Sequence, residues 1–147
     1  MYKQKIDTGA VLKVLNRILE TELAGVVRYT HYSFMCFGYG RIPIVSWMRA
    51  QATESLRHAE EAGEMITHFD GHPSLGIGPL LETHKHDVGD ILRESLEHEG
   101  ATLRYYHELL EMVLDRNVML EEYARRMISL EEAHMGEVEK MLRKPGE

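Results

Sequence analysis

The sequence predicts an all-α protein, an antiparallel four-helix bundle with one long crossover between helices two and three and no fifth helix. Apolar residues recur at helical spacing along four stretches, and clusters of Gly, Pro and Asp separate those stretches. The first and last breaks are short and the middle one is long, which describes two hairpins joined by one long connection. With 147 residues the chain is long enough for a single core, so one domain over 1–147 is expected. Few aromatics, nine methionines and many leucines suit helices better than sheets.

Each element has its own start and stop signals. Asp7 or Thr8 caps a first helix that runs to about residue 37, where Gly38, Gly40 and the helix-starting Pro43 intervene. The second helix is expected over about 43–69, stopped by Asp70 and Gly71. Residues 71–86 carry Pro73, Gly76, Gly78 and Pro79, too many breakers for a regular element. A third helix is expected over about 87–114, followed by a turn at Asp115, Arg116 and Asn117. The fourth is expected from 118 to about 142, before Lys144, Pro145 and Gly146.

The faces of these helices locate the chemistry. At about 100° per residue, the first stripe contains Val11, Leu15, Ile18, Leu19, Glu22, Val26 and Tyr29, with Glu20 on the opposite side. The second contains Trp47, Met48, Ser55, His58, Ala59, Ala62, Ile66 and Phe69. The third contains Val88, Ile91, Leu92, Leu96, Glu99, Leu103, Tyr106, Leu110 and Val113, with Glu97 turned to solvent. The fourth contains Ala124, Met127, Ile128, Glu131, His134, Met135 and Val138. Three stripes therefore carry a central carboxylate and two carry a histidine. A lone inward glutamate usually marks an exposed helix edge, and a lone inward histidine is usually a satisfied core residue. Several together are different, because unpaired buried carboxylates are costly and are avoided or paired. Their convergence implies cations at the centre, and so a dinuclear metal site.

Depth gives an independent check. The midpoint of Glu22 and His58 is position 40, inside the first turn, and that of Glu99 and His134 is 116.5, inside the second. Residues equidistant from a hairpin turn lie at one height, so each pair is expected to face itself. Tyr29 and Tyr106 follow their glutamates by seven residues, as if one hairpin were used twice about a pseudo-twofold axis. The second helix breaks the pattern. Three residues before His58 stands Ser55, where the fourth helix has Glu131 before His134. Glu54, four before His58, sits about 80° from the stripe centre and is expected to substitute, helped by a one-residue π-bulge if one is present. Ser55 with a bridging water is the competing arrangement.

Carboxylates and imidazoles without thiolate suit iron or manganese, with zinc as an opportunistic occupant. Two such metals about 3.5–4 Å apart share an oxidant such as O₂ or peroxide. Tyr29 is the candidate hydrogen-bond or electron donor beside them. The remaining tyrosines and methionines read as plain core. For His84 and His86, in Thr83-His84-Lys85-His86-Asp87, capping or solvation is the favoured reading and a surface metal the alternative, and His31, His68, His72, His98 and His107 read as surface residues.

Net charge is −7 and only Lys3 and Lys5 form a basic arm, which argues against nucleic acid and anionic membrane as partners. Cys36 is the sole cysteine, so no internal disulfide framework or four-cysteine metal module is expected. With no signal peptide and no 18-residue apolar run, a cytoplasmic location is expected.

The runs Leu15-Asn16-Arg17-Ile18-Leu19 with Glu22-Leu23, Gly71-His72-Pro73-Ser74-Leu75 and Glu131-Glu132-Ala133-His134 resemble bacterioferritin and its ferritin-like di-iron relatives. The resemblance covers about 6–142 and implies a single ferritin-like domain with a ferroxidase centre. That centre would oxidise Fe(II) with O₂ or peroxide in a homo-oligomer, a dimer or higher, serving iron storage or detoxification. Carried across, the ligands are Glu22, His58, Glu99, Glu131 and His134, while the family's bridging glutamate on the second helix falls on Ser55. The methionine that binds haem between bacterioferritin subunits falls on Leu56, so no haem is expected there. The family's short fifth helix has no counterpart after Arg143. Two other readings share the fold: a di-iron peroxidase or oxidase of rubrerythrin type, and a bundle with a vestigial metal site and a structural role.

Overall fold

The computed structural model describes residues 6–146 and contains four helices, α1 (Thr8–Met35), α2 (Arg41–His68), α3 (Val88–Val113) and α4 (Val118–Leu142). Lys3 and Lys5 lie outside the described residues. Among the described residues there is no strand, and no helix is long and apolar enough to cross a membrane.

The observed ends follow from local hydrogen bonding. At the start of α1 the Asp7 carboxylate accepts from the Ala10 N–H at 3.1 Å. α1 stops at Met35 rather than 37 because the Arg41 guanidinium donates to the carbonyls of Ser33 and Cys36, at 3.1 and 2.6 Å. Those carbonyls would otherwise need further helix. α2 begins at Arg41 instead of 43, which places Pro43 in the first turn, where its missing N–H costs nothing. It closes with Asp70 in the left-handed region (φ 63°) and the Gly71 N–H bonded to the Ile66 carbonyl at 2.9 Å. Asn117 caps α4 by accepting from the Leu120 N–H at 3.0 Å.

The chain divides into two compact units. One, Leu15–Ile91, holds most of α1, all of α2 and the crossover. Its core includes Leu15, Ile18, Tyr29, Met48, Ala62 and Ile66. The crossover has no regular structure and is fastened along α1 instead. The Asn16 side chain takes the Ser74 N–H at 2.7 Å, the Ser74 hydroxyl donates to the Glu20 carboxylate, and the Gly78 N–H donates to the Glu20 carbonyl at 2.8 Å. Glu20 is thus half-buried beneath the crossover. Gly78 is required for that approach, since a Cβ there would lie 3.0 Å from the Glu20 carbonyl oxygen. Further on, His31 meets Glu82 at 2.8 Å. From Asn16 to His31 the crossover follows α1 for about 22 Å, at 1.5 Å per helical residue.

The other unit, Met1–Val14 with Leu92–Glu147, is built on the α3–α4 hairpin. Leu92, Tyr106, Leu109, Leu120, Met127 and Val138 are buried, and Tyr106 meets Tyr123 edge to face at 6.0 Å. The α3 stripe is rotated from the expected one. Leu96, Leu103 and Leu110 are only half-buried, while Ser95, Thr102 and Leu109 take the interior. Spacing by three and four through Leu92, Ser95, Glu99, Thr102 and Tyr106 forms a narrow seam, flanked by the larger leucines. The buried Thr102 hydroxyl is satisfied by the His98 carbonyl at 3.2 Å.

Candidate metal centre

The first carboxylate–histidine set lies in the α1–α2 unit. Glu22 is 1% exposed and His58 is 8% exposed. The ring is held from both sides, with Nδ1 at 3.1 Å from Glu22 Oε2 and Nε2 at 3.1 Å from Glu54 Oε1. The expectation that residues 22 and 58 share a level is met, because the intervening turn centres the hairpin between them. Glu54 reaches His58 from the preceding turn through its own length. α2 is continuous α-helix there, so the π-bulge entertained as an aid is absent. Its other oxygen lies 3.4 Å from Arg57 Nη1, a contact that the periodicity argument missed although Arg57 is three residues away. Ser55 is buried at 5% exposure and supplies a hydroxyl where the fourth helix supplies a carboxylate.

Two acceptors at hydrogen-bond distance from the two ring nitrogens favour the imidazolium, the form in which both nitrogens donate. Desolvation pulls the His58 pKa down. The Glu22 hydrogen bond and charge, followed by Glu54, outweigh it and leave the pKa raised above its usual value. The raised pKa favours the charged ring, which brings positive charge between two carboxylates. A divalent metal held by Glu22, Glu54 and His58 would compete with a proton on the ring, because an imidazole ligand must be neutral.

The second set lies in the α3–α4 unit. Glu99 and Glu131 are 3% and 4% exposed, and His134 is half-buried. His134 Nε2 lies 3.8 Å from Glu99 Oε1, again across a hairpin whose turn falls midway between them. Glu131 precedes His134 by one helical turn, which puts an oxygen and a nitrogen donor on one face. Glu97 is exposed, as expected from its angle on the helix.

Tyr29 is 1% exposed and sits in an aromatic cluster, edge-on to Trp47 and Tyr32, each at 6.3 Å. Leu56, at the position where the resemblance places a haem-binding methionine, is 44% exposed and carries no donor atom. Every expected ligand position is therefore at least half-buried, with His58 within 4 Å of Glu22 and Glu54 and His134 within 4 Å of Glu99.

A family model described as a ferritin-like domain matches residues 12–145. Bacterioferritin of Mycobacterium tuberculosis is 29% identical over 141 residues, spanning 90% of this chain and 83% of that protein. Bacterioferritin of Desulfovibrio desulfuricans is 27% identical over 128 residues, spanning 85% and 70%. Among solved structures, a ferritin-like di-iron-carboxylate protein from Bacillus anthracis superposes with a TM-score of 0.87 at 22% identity, covering 93% of this chain and 98% of the other. A bacterioferritin-related dodecameric thioferritin from Bacteroides fragilis gives 0.86 at 18% identity, covering 97% and 89%. These neighbours fix the fold as an all-α four-helix bundle.

Proposed function

We propose, from the premise that the chain belongs to the ferritin-like domain family, that its two carboxylate–histidine sets close on one dinuclear centre that binds Fe(II) and oxidises it with O₂ or peroxide. The observation that carries this reading is the Glu22–His58–Glu54 cluster, in which Glu22 and His58 are buried. A core does not spend an acid of 1% exposure on a histidine flanked by a second acid unless the group has a use. The donor chemistry fits, since carboxylate oxygens and imidazole nitrogens suit iron and manganese, with zinc as a competitor. Glu22, Glu54, Glu99 and Glu131 provide four negative charges, enough to balance two divalent cations. Each Fe(II) is substrate and gives up one electron, and a pair supplies the two electrons that reduce one O₂ to peroxide or one peroxide to water.

The protein's own part is to hold both ions out of bulk water and to manage protons. His58 releases its proton when metal enters, and Glu54, the most exposed of the acids, is placed to exchange protons with solvent. Tyr29, in its cluster with Trp47 and Tyr32, is assigned a hydrogen bond or an electron toward the centre. The whole chain acts as one ferritin-like domain, and a homo-oligomer, dimer or higher, covers the exposed Phe37 and Ile42, which are 72% and 82% exposed. Iron storage or detoxification in the cytoplasm is the corresponding role, without haem at Leu56.

Stability is the readout that tests occupancy. Ligand that binds only the folded state at about 100 times its Kd adds about 2.7 kcal/mol. For a chain of this size that raises Tm by roughly 5–10 °C. Fe(II) under anaerobic conditions, Mn(II) or Zn(II) is expected to produce such a rise in calorimetry. An unchanged Tm with all three metals would count against the centre.

A further inference from the structure

A second group of metal-ligating side chains lies away from the buried acids, where the crossover reaches the later part of α1. His31 of α1, Glu82 and His86 each offer one donor atom, and the three atoms lie within 4.8 Å of one another. Glu82 bridges the histidines, with Oε2 at 2.8 Å from His31 Nε2 and Oε1 at 3.3 Å from His86 Nε2. Donors sharing a tetrahedral ion at about 2.0–2.1 Å stand roughly 3.3–3.5 Å apart. The second separation matches the lower end of that range and the first falls about 0.5 Å short of it, so small side-chain movements complete the set.

The His86 contact is informative. Its Nε2 is buried and makes no hydrogen bond, despite lying 3.3 Å from the Glu82 oxygen. The buried nitrogen is therefore close to a carboxylate without being satisfied by it, which leaves it open to a cation. The backbone supports the placement. His84 takes the left-handed conformation (φ 56°), and its N–H donates to Glu82 Oε1 at 2.6 Å. That hydrogen bond, against desolvation and with help from His31, holds the Glu82 pKa down to about 2, so the carboxylate is ionised throughout the working range. His31 and Glu82 also line a cavity of about 260 Å³ between α1 and the crossover, which gives water or a small anion access to a remaining coordination position.

We propose that His31, Glu82 and His86 form a mononuclear site for a divalent transition cation of the zinc class, and that the bound ion ties the crossover to α1. Two imidazoles and one carboxylate suit zinc, cobalt(II) or nickel(II) better than the hard cations magnesium and calcium. Three protein donors leave a position for an exchangeable ligand. Without the ion, this end of the crossover is held by exposed polar contacts, whereas its start is fastened by Asn16 and Glu20.

Zinc(II) and cobalt(II) binding by the intact protein separates this site from the buried centre. His31→Ala and His86→Ala are each expected to bind about one zinc(II) fewer per chain than the unaltered protein, or to bind it about tenfold or more weakly. Glu131→Ala, directed at the buried centre, should retain this ion. Its visible cobalt(II) spectrum should be that of a four-coordinate nitrogen–oxygen site. His107→Ala, which removes an exposed imidazole of α3, should leave the affinity unchanged. Equal zinc(II) binding by the unaltered protein and His86→Ala overturns the proposal. Survival of the ion in His31→Ala also overturns it, because the ligands would then lie within the crossover alone. Failure of the buried centre shows separately, as a Glu131→Ala variant with unaltered metal content. As an independent readout, zinc(II) should slow tryptic cleavage after the exposed Lys85 in the unaltered protein and not in His31→Ala, and equal rates contradict the tie.

Discussion

Glu99→Ala and Glu131→Ala are each expected to lose tight iron binding and Fe(II) oxidation, while Glu97→Ala behaves as the unaltered protein does. The contrast rests on geometry. Glu99 and Glu131 are 3% and 4% exposed, and Glu97, two residues from Glu99, is exposed. Loss even of a residue that only supports a metal ligand costs about 10- to 100-fold in affinity, so loss of a ligand is expected to cost on the order of 100-fold or more. The metal-free variants are not expected to collapse, because alanine removes a buried carboxylate that the apo protein holds at a desolvation cost. Their apo Tm should stay within about 2–4 °C of the parent, the shift that accompanies 1 kcal/mol in a chain of this size. The metal-induced rise in Tm should disappear. Iron binding and calorimetry on the three variants check both parts. An effect of Glu97→Ala equal to that of Glu99→Ala would show that the seam of α3 does not face the metals.

The second large effect is expected where Ser55 interrupts the ligand pattern of α2. Glu54→Ala should weaken the metal position next to His58 more than the one next to His134, leaving a singly occupied protein with greatly slowed iron oxidation. Glu54 is the residue that brings a second carboxylate to His58, at 3.1 Å, and α2 spends no helical irregularity to place it there. Arg57 grips its other oxygen at 3.4 Å, and that contact must yield if both oxygens are to engage metal. Arg57→Ala is therefore expected to be mild. Ser55→Glu should be tolerated and should tighten binding, since it returns a carboxylate to the inward position three residues before His58. Mass spectrometry of the native metal-loaded protein, which resolves singly from doubly occupied chains, measures this directly. Two retained metals with unchanged affinity in Glu54→Ala would make the centre a five-ligand site completed by water.

Helix number, the two hairpins, the crossover and the depth of the acids were readable from periodicity and from Gly and Pro positions alone. The reason is physical: a four-helix fold is specified mainly by four apolar stripes and the breaks between them. Helix ends shifted by up to two residues where a tertiary donor, Arg41, intervened, and no local signal announces that. The α3 face was right at Ile91, Leu92, Glu99, Tyr106 and Val113 and displaced at Leu96, Leu103 and Leu110, because leucine outweighs serine and threonine in any apolar count. The hairpin seam instead admits the small Ser95 and Thr102 and pushes Leu96 and Leu103 to its flanks. The buried acids were legible because glutamate at the centre of a stripe conflicts with its surroundings. His31, Glu82 and His86 were not, since 51 residues separate His31 from Glu82 and the crossover has no period to relate them. His31 and His86 had been read as surface and capping residues. His31 is exposed and His86 half-buried, and they share the Glu82 carboxylate.

Anaerobic titration with Fe(II) followed by exposure to O₂, monitored optically, tests the dinuclear centre most directly. The titration is run on His86→Ala, so that no ion at His31, Glu82 and His86 is counted, and repeated with Glu131→Ala added. The account predicts saturation at about two Fe(II) per chain, as a dinuclear site requires. Admission of O₂ should then produce Fe(III) much faster than in protein-free buffer, and the Glu131→Ala protein should show neither saturation nor acceleration. Binding that fails to saturate, or oxidation no faster than in buffer, would contradict it.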